Sequence, residues 1–99
     1  MINENLLALN VTDDEMYNKY RQEMTPLLLS VGGEFGYDFK VSETLKSEAN
    51  HPINRVFTIK FPNKDVMKSF FSSDSYRAVN KKYFRDSVDG VTMISSYDK

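Results

Sequence analysis

The chain has 99 residues, of which 13 are basic and 14 acidic, with one histidine and no cysteine. That length suits one domain, and the missing cysteine excludes disulfides, thiolate nucleophiles and cysteine-ligated metals. Nearly balanced charge, a pI near 5.8 and no basic run longer than Lys81-Lys82 argue against nucleic acid as a partner. No stretch approaches the roughly 18 apolar residues of a membrane span, and the start MINENLLALNV lacks the pattern of a secretory signal. The expectation is a cytoplasmic protein with a single domain over residues 1–99.

Leu6 to Val11 is an apolar run of strand length, with Leu7, Leu9 and Val11 on one face and Leu6, Ala8 and Asn10 on the other. Thr12-Asp13-Asp14-Glu15 has the form of a capping box, with Thr12 as the expected N-cap. Met16, Tyr17, Tyr20, Met24, Leu27, Leu28 and Val31 follow at steps of three and four and define an amphipathic helix. Pro26 is expected to kink that helix without ending it. Gly32-Gly33 stops it, because glycine accepts the left-handed conformation of a C-terminal cap.

Glu34 to Val41 alternates, predicting a strand with Phe35, Tyr37, Phe39 and Val41 on one face and Gly36, Asp38 and Lys40 on the other. Ser42 to Pro52 reads as a surface connection whose first residues can extend the strand, with His51 exposed in it. Arg55 to Phe61 is a β-branched and aromatic strand, ended by Pro62, with Asn63 placed to cap a helix. Val66, Met67, Phe70 and Phe71 share a flank of that helix. Ser72-Ser73-Asp74 interrupts the pattern, and Tyr76, Val79 and Tyr83 restart it. Asp89-Gly90 suggests a turn before a last strand over Val91 to Tyr97.

The order is βαββαβ. It predicts an α+β, ferredoxin-like fold, a four-stranded antiparallel sheet with two helices on one face. The other face, with Leu6, Ala8, Val56, Thr58 and Ile94, is too apolar to stay wet, which points to a homodimer through the open sheet face. The series Asp13, Tyr17, Tyr20, Gly32-Gly33, Arg55-Val56, Phe61-Pro62, Phe70-Phe71 and Asp74-Ser75-Tyr76 resembles a bacterial domain-of-unknown-function family of the dimeric α+β barrel superfamily. The resemblance implies a ferredoxin-like protomer and a barrel formed by two facing sheets. It is similar in fold to cofactor-independent antibiotic-biosynthesis monooxygenases and to muconolactone-isomerase-like enzymes.

His51 alone, in a polar connection, makes no metal site, and no nucleophile elbow is present. No cofactor and no metal are expected. Tyr17, Tyr20, Tyr37, Tyr76 and Tyr83 fall on inward faces beside Phe57, where they fill a core or line a helix–sheet cleft for a planar, partly apolar ligand. Arg55 lies at the start of its strand on the same side, able to clamp an acidic group or pair with an acidic side chain near the first helix. Three functional classes follow: a small-molecule-binding dimer, a cofactor-independent monooxygenase or isomerase acting on an aromatic or lactone-like substrate, and a purely structural interaction module.

Overall fold

A computed structural model describes all residues from Met1 to Lys99. The elements are β1 (Asn3–Val11), α1 (Asp14–Ser30), β2 (Glu34–Lys40), β3 (Arg55–Phe61), α2 (Lys64–Ser72), α3 (Asp74–Val79) and β4 (Val88–Asp98). The strands form one sheet in the order β2-β3-β1-β4, every neighbouring pair antiparallel. This is the ferredoxin-like arrangement. Tyr17, Tyr20, Met24 and Leu28 of α1, Phe70 of α2 and Tyr76 of α3 pack against Leu9, Val11, Phe57, Ile59 and Phe61 of the sheet. The steps of three and four on α1 thus become one buried stripe.

Local chemistry explains most element ends. Asp13, not Thr12, caps α1, its Oδ1 accepting from the Met16 N–H at 3.0 Å. The Thr12 N–H donates to the Ser87 carbonyl at 2.8 Å, which leaves nothing for Glu15 to receive, and with Met16 three residues after Asp13 the cap is a single bond rather than a box. The helix continues through the exposed Pro26 to Ser30. It ends in a Schellman motif: Gly33 N–H donates to the Leu28 carbonyl and Gly32 N–H to that of Leu29, both at 3.0 Å,. Only Gly32 is left-handed, at φ +80. Asn63 caps α2 through a 2.9 Å bond from the Val66 N–H. The hydroxyl of Ser73 accepts from the Tyr76 N–H at 3.2 Å and so begins α3 where α2 stops.

After α3 the chain takes a π-helical turn over Asn80–Phe84, closed by a bond from the Arg85 N–H to the Asn80 carbonyl. One more turn, Arg85–Ser87, leads into β4. Lys81, Lys82 and Arg85 are exposed, the solvated face expected of them.

Three departures from the sequence expectation matter. In β2, Phe35 pairs with Ile59 but Asp38 with Phe57, so β2 carries one extra residue between them,. The bulge reverses the faces beyond it. Asp38 turns to the helix side, while Tyr37 and Phe39 stand on the open face, 62% and 55% exposed, with stacked rings 5.9 Å apart. Alternation placed these two rings inward and Asp38 outward, and both assignments are corrected. The open face consequently carries aromatic rings.

In β4, Asp89-Gly90 is not a turn but a second bulge inside the strand, opposite Leu9 to Val11, with Gly90 at φ +121. The strand also begins at Val88 and extends to Asp98. Finally, β1 starts three residues before Leu6, because Asn3, Glu4 and Asn5 are buried yet partnered. Asn5 donates to Asn3 Oδ1 at 2.8 Å and accepts from Ser96 Oγ at 2.6 Å; Glu4 accepts from the Tyr97 hydroxyl.

The connection after β2 forms no strand at 42–45. His51 is half-buried rather than exposed: its ring packs on Gly90 and its Nε2 lies 2.8 Å from Thr92 Oγ1. Asn54 anchors the return, its side chain bonding both the N–H and the carbonyl of Val11 at 2.8 Å.

Candidate ligand cavity

Between helices and sheet lies a cavity of about 160 Å³. Leu7, Leu9, Phe57 and Ile59 floor it from the two central strands, with Phe35 of β2 and Val91 of β4 at the sides. Tyr20, Arg21 and Met24 of α1, Phe71 and Tyr76 roof it, and Phe84 closes one end from the π turn. Three larger grooves, one between the end of α1 and α2, one beside residues 46–50 and one beside Tyr76, Asn80 and Arg85, are more open to solvent.

Of the sequence-derived candidates, Tyr20, Phe57 and Tyr76 line the cavity. Tyr17 and Arg55 sit beside it in a polar cluster described below. Tyr83 is half-buried against the core but does not reach the cavity; Lys82 Nζ lies 5.0 Å from its ring centroid. Tyr37 is on the opposite face of the sheet, and His51 reaches that same face through Thr92.

Two polar features border the apolar walls. The hydroxyls of Tyr20 and Tyr76 are 2.9 Å apart, and Asn80 Nδ2 donates to Tyr76 at 3.3 Å. Burial, then the Tyr76 hydroxyl, pushes the Tyr20 pKa up, so the phenol stays neutral,. The second feature centres on Asp38. Arg55 grips both of its oxygens at 2.7 Å, and Arg21 Nη1 lies 3.3 Å from Oδ2. The acidic partner of Arg55 is thus Asp38 of β2, which lies against α1 through Arg21, in keeping with the acidic side chain near the first helix that the sequence suggested.

Arg21 Nε also donates to the Tyr17 hydroxyl at 2.9 Å, and its guanidinium carbon lies 3.9 Å from the Phe35 ring centroid and 4.7 Å from that of Phe57. Burial raises the Tyr17 pKa, against the pull of Arg21. Burial also opposes ionisation of Asp38, but the bonds and charges of Arg55 and Arg21 outweigh it and hold the carboxyl below its usual range,.

A depressed carboxylate pKa stabilises the fold fully above the unfolded value of about 3.9, and the stabilisation is lost as the pH falls through the folded value. Asp38→Asn should therefore cost about 2 kcal/mol at pH 7, discounted for partial exposure. In urea melts across pH, its gap to wild type should narrow only below about pH 4. A gap that does not vary with pH would refute the ionic reading.

Neither Arg21 nor Asp38 emerges from motif spacing. Arg21 nonetheless carried a signal, for it stands four residues after Tyr17, three before Met24 and seven before Leu28, a charge on the buried stripe. Asp38 itself carried none: the bulge that turns it inward leaves the period of two intact, and the nearest sign of it is Gly36 inside the strand.

A family model described as Domain of unknown function (DUF1330) matches residues 6–95. The chain belongs to that family. The matched span of this DUF1330 domain includes every lining residue named above. No curated protein matches the chain. Among solved structures, a protein of unknown function from Rhodopseudomonas palustris superposes with a TM-score of 0.79 at 16% identity, over 94% of this chain and 78% of its own. A candidate antibiotic biosynthesis monooxygenase from Nitrosomonas europaea gives 0.70 at 8%, over 99% and 89%. A dimeric ferredoxin-like protein of unknown function from Jannaschia gives 0.65 at 11%, over 100% of both chains. At these identities the likeness establishes the fold alone.

Proposed function

We propose that this DUF1330 domain is a homodimeric α+β barrel protein that binds a small, planar, partly apolar ligand in the helix–sheet cavity. The observation that carries this is the cavity itself, about 160 Å³ behind aromatic and aliphatic walls. An apolar void of about 150 Å³ is enough to take up benzene, so the tenant is a single ring rather than a fused system. Binding is favoured over proton-transfer catalysis by the groups at hand. Tyr20 and Tyr17 are held protonated, Asp38 is committed to two arginines, and His51 docks on the far side of the sheet, which leaves the cavity without a base at neutral pH.

The test is calorimetric titration with benzyl alcohol. Wild type should bind it, and Val91→Trp should not, since Val91 is 47% exposed and a larger ring there blocks the cavity from a position the fold tolerates. A filled core with no tenant, the interaction-module reading, predicts no heat with either protein.

The dimer rests on the open face. Tyr37, Phe39 and Ile94 are exposed large side chains on its strands, and the Jannaschia relative is described as dimeric. Sedimentation velocity should show a species of twice the 11.5 kDa chain mass, and Phe39→Glu should return it to monomer. A wild-type monomer would remove the barrel. The chain contains no helix long and apolar enough to cross a membrane.

A further inference from the structure

We infer that the ligand of this cavity carries a carboxylate, and that Arg21 is the residue that receives it; this rests on the cavity being a ligand site at all. Arg21 is the only charged residue lining the cavity. Its Nη2 is also the one buried side-chain polar atom of the chain without a hydrogen-bond partner. A guanidinium has five N–H donors in a fixed plane. Here Nε is used by Tyr17 and Nη1 by Asp38, while Phe35 and Phe57 pack against the group. Ring faces stabilise a cation but do not replace an acceptor in the guanidinium plane, and a donor left buried and unmet is costly.

Charge points the same way. Asp38 is shared by two arginines, and Arg55 holds it with two bonds of 2.7 Å against one contact of 3.3 Å from Arg21. One carboxylate is bonded to two guanidiniums, and Asp14 acts from farther off on Arg55, so the looser pairing leaves the surplus positive charge on Arg21. An anion at Nη2 would satisfy the donor and neutralise the cluster in one contact. Apolar walls around a single-ring volume, with one desolvated cation at the edge, describe a site for an aromatic or alicyclic monocarboxylic acid. The ring lies among Leu7, Leu9 and Phe57 and the carboxylate turns toward α1.

Benzoate and benzyl alcohol, compared by calorimetric titration at pH 7 on the full chain, test this. Wild type should bind benzoate about tenfold or more tightly than benzyl alcohol, the scale of one charge-assisted contact. Arg21→Gln should bring the two affinities together. Equal affinities in wild type would overturn the carboxylate inference and leave the cavity as a neutral-ring site. A benzoate preference that persists in Arg21→Gln would overturn the assignment to Arg21. Binding of neither probe would overturn the inference together with the ligand-site reading beneath it. Where Arg21→Gln does not fold, Arg21→Lys takes its place, because a point charge without the planar fork should keep only part of the preference.

Discussion

Phe61→Ala is expected to lower stability by about 3–5 kcal/mol, the range for removing a buried aromatic ring from a packed core. Phe61 is 1% exposed at the end of β3. Its ring meets those of Phe70 and Phe71, each at 5.5 Å between centroids, and those two rings fasten α2 to the sheet. Truncation leaves a void at that contact and no neighbour free to fill it, since Phe70 is itself wedged against Tyr76 at 5.1 Å. Domains of this size have a total stability of about 5–15 kcal/mol, so the loss is a large fraction of the total. Urea unfolding is the measurement. A midpoint shift equivalent to less than about 1 kcal/mol would mean that α2 does not depend on this contact.

The second large effect is at Gly33. A Cβ there would lie 2.5 Å from Leu28 Cδ1 and 2.9 Å from the Lys60 carbonyl oxygen. The leucine can yield, but the carbonyl belongs to β3, which is paired on both sides at Lys60, with Glu4 and with Glu34, and cannot. Gly33→Val should cost about 2–3 kcal/mol by overpacking. Its neighbour behaves differently: Gly32 has the left-handed backbone, so Gly32→Ala should cost about 1–2 kcal/mol through conformation instead. An unchanged melting temperature for Gly33→Val would show that helix and strand do not approach here as described.

The two glycines also show how far the chain could be read without coordinates. Both were expected to serve as a left-handed cap, and only one does; the other is a spacing residue between α1 and β3, a long-range fact that local pattern does not contain. The strand over Arg55–Phe61, the Asn63 cap, the break at Ser73 and the buried stripe of α1 were all legible, because each depends on near neighbours in sequence. The ferredoxin-like order followed from them. The faces of β2 were not legible. Alternation assumes one residue per pairing position, and the extra residue between Phe35 and Asp38 breaks that assumption. Gly36 was the available warning: a Cβ there would meet Thr58 Oγ1 at 2.5 Å, and glycine inside a strand often marks a bulge. The same bulge accounts for half of what was missed at the site, since it delivers Asp38 to Arg55 and carries Tyr37 away.

The π turn at Asn80–Phe84 bears on how this cavity can change. Such a turn amounts to one residue inserted into an α-helix. It sets Phe84 4.9 Å from the Tyr20 ring and 6.5 Å from that of Tyr17, closing the chamber. Deleting that one residue would return the segment to ordinary helical pitch and draw in the wide turn that holds Phe84 against both tyrosines. The closure of the chamber at this end therefore depends on chain length as well as on the size of the Phe84 side chain.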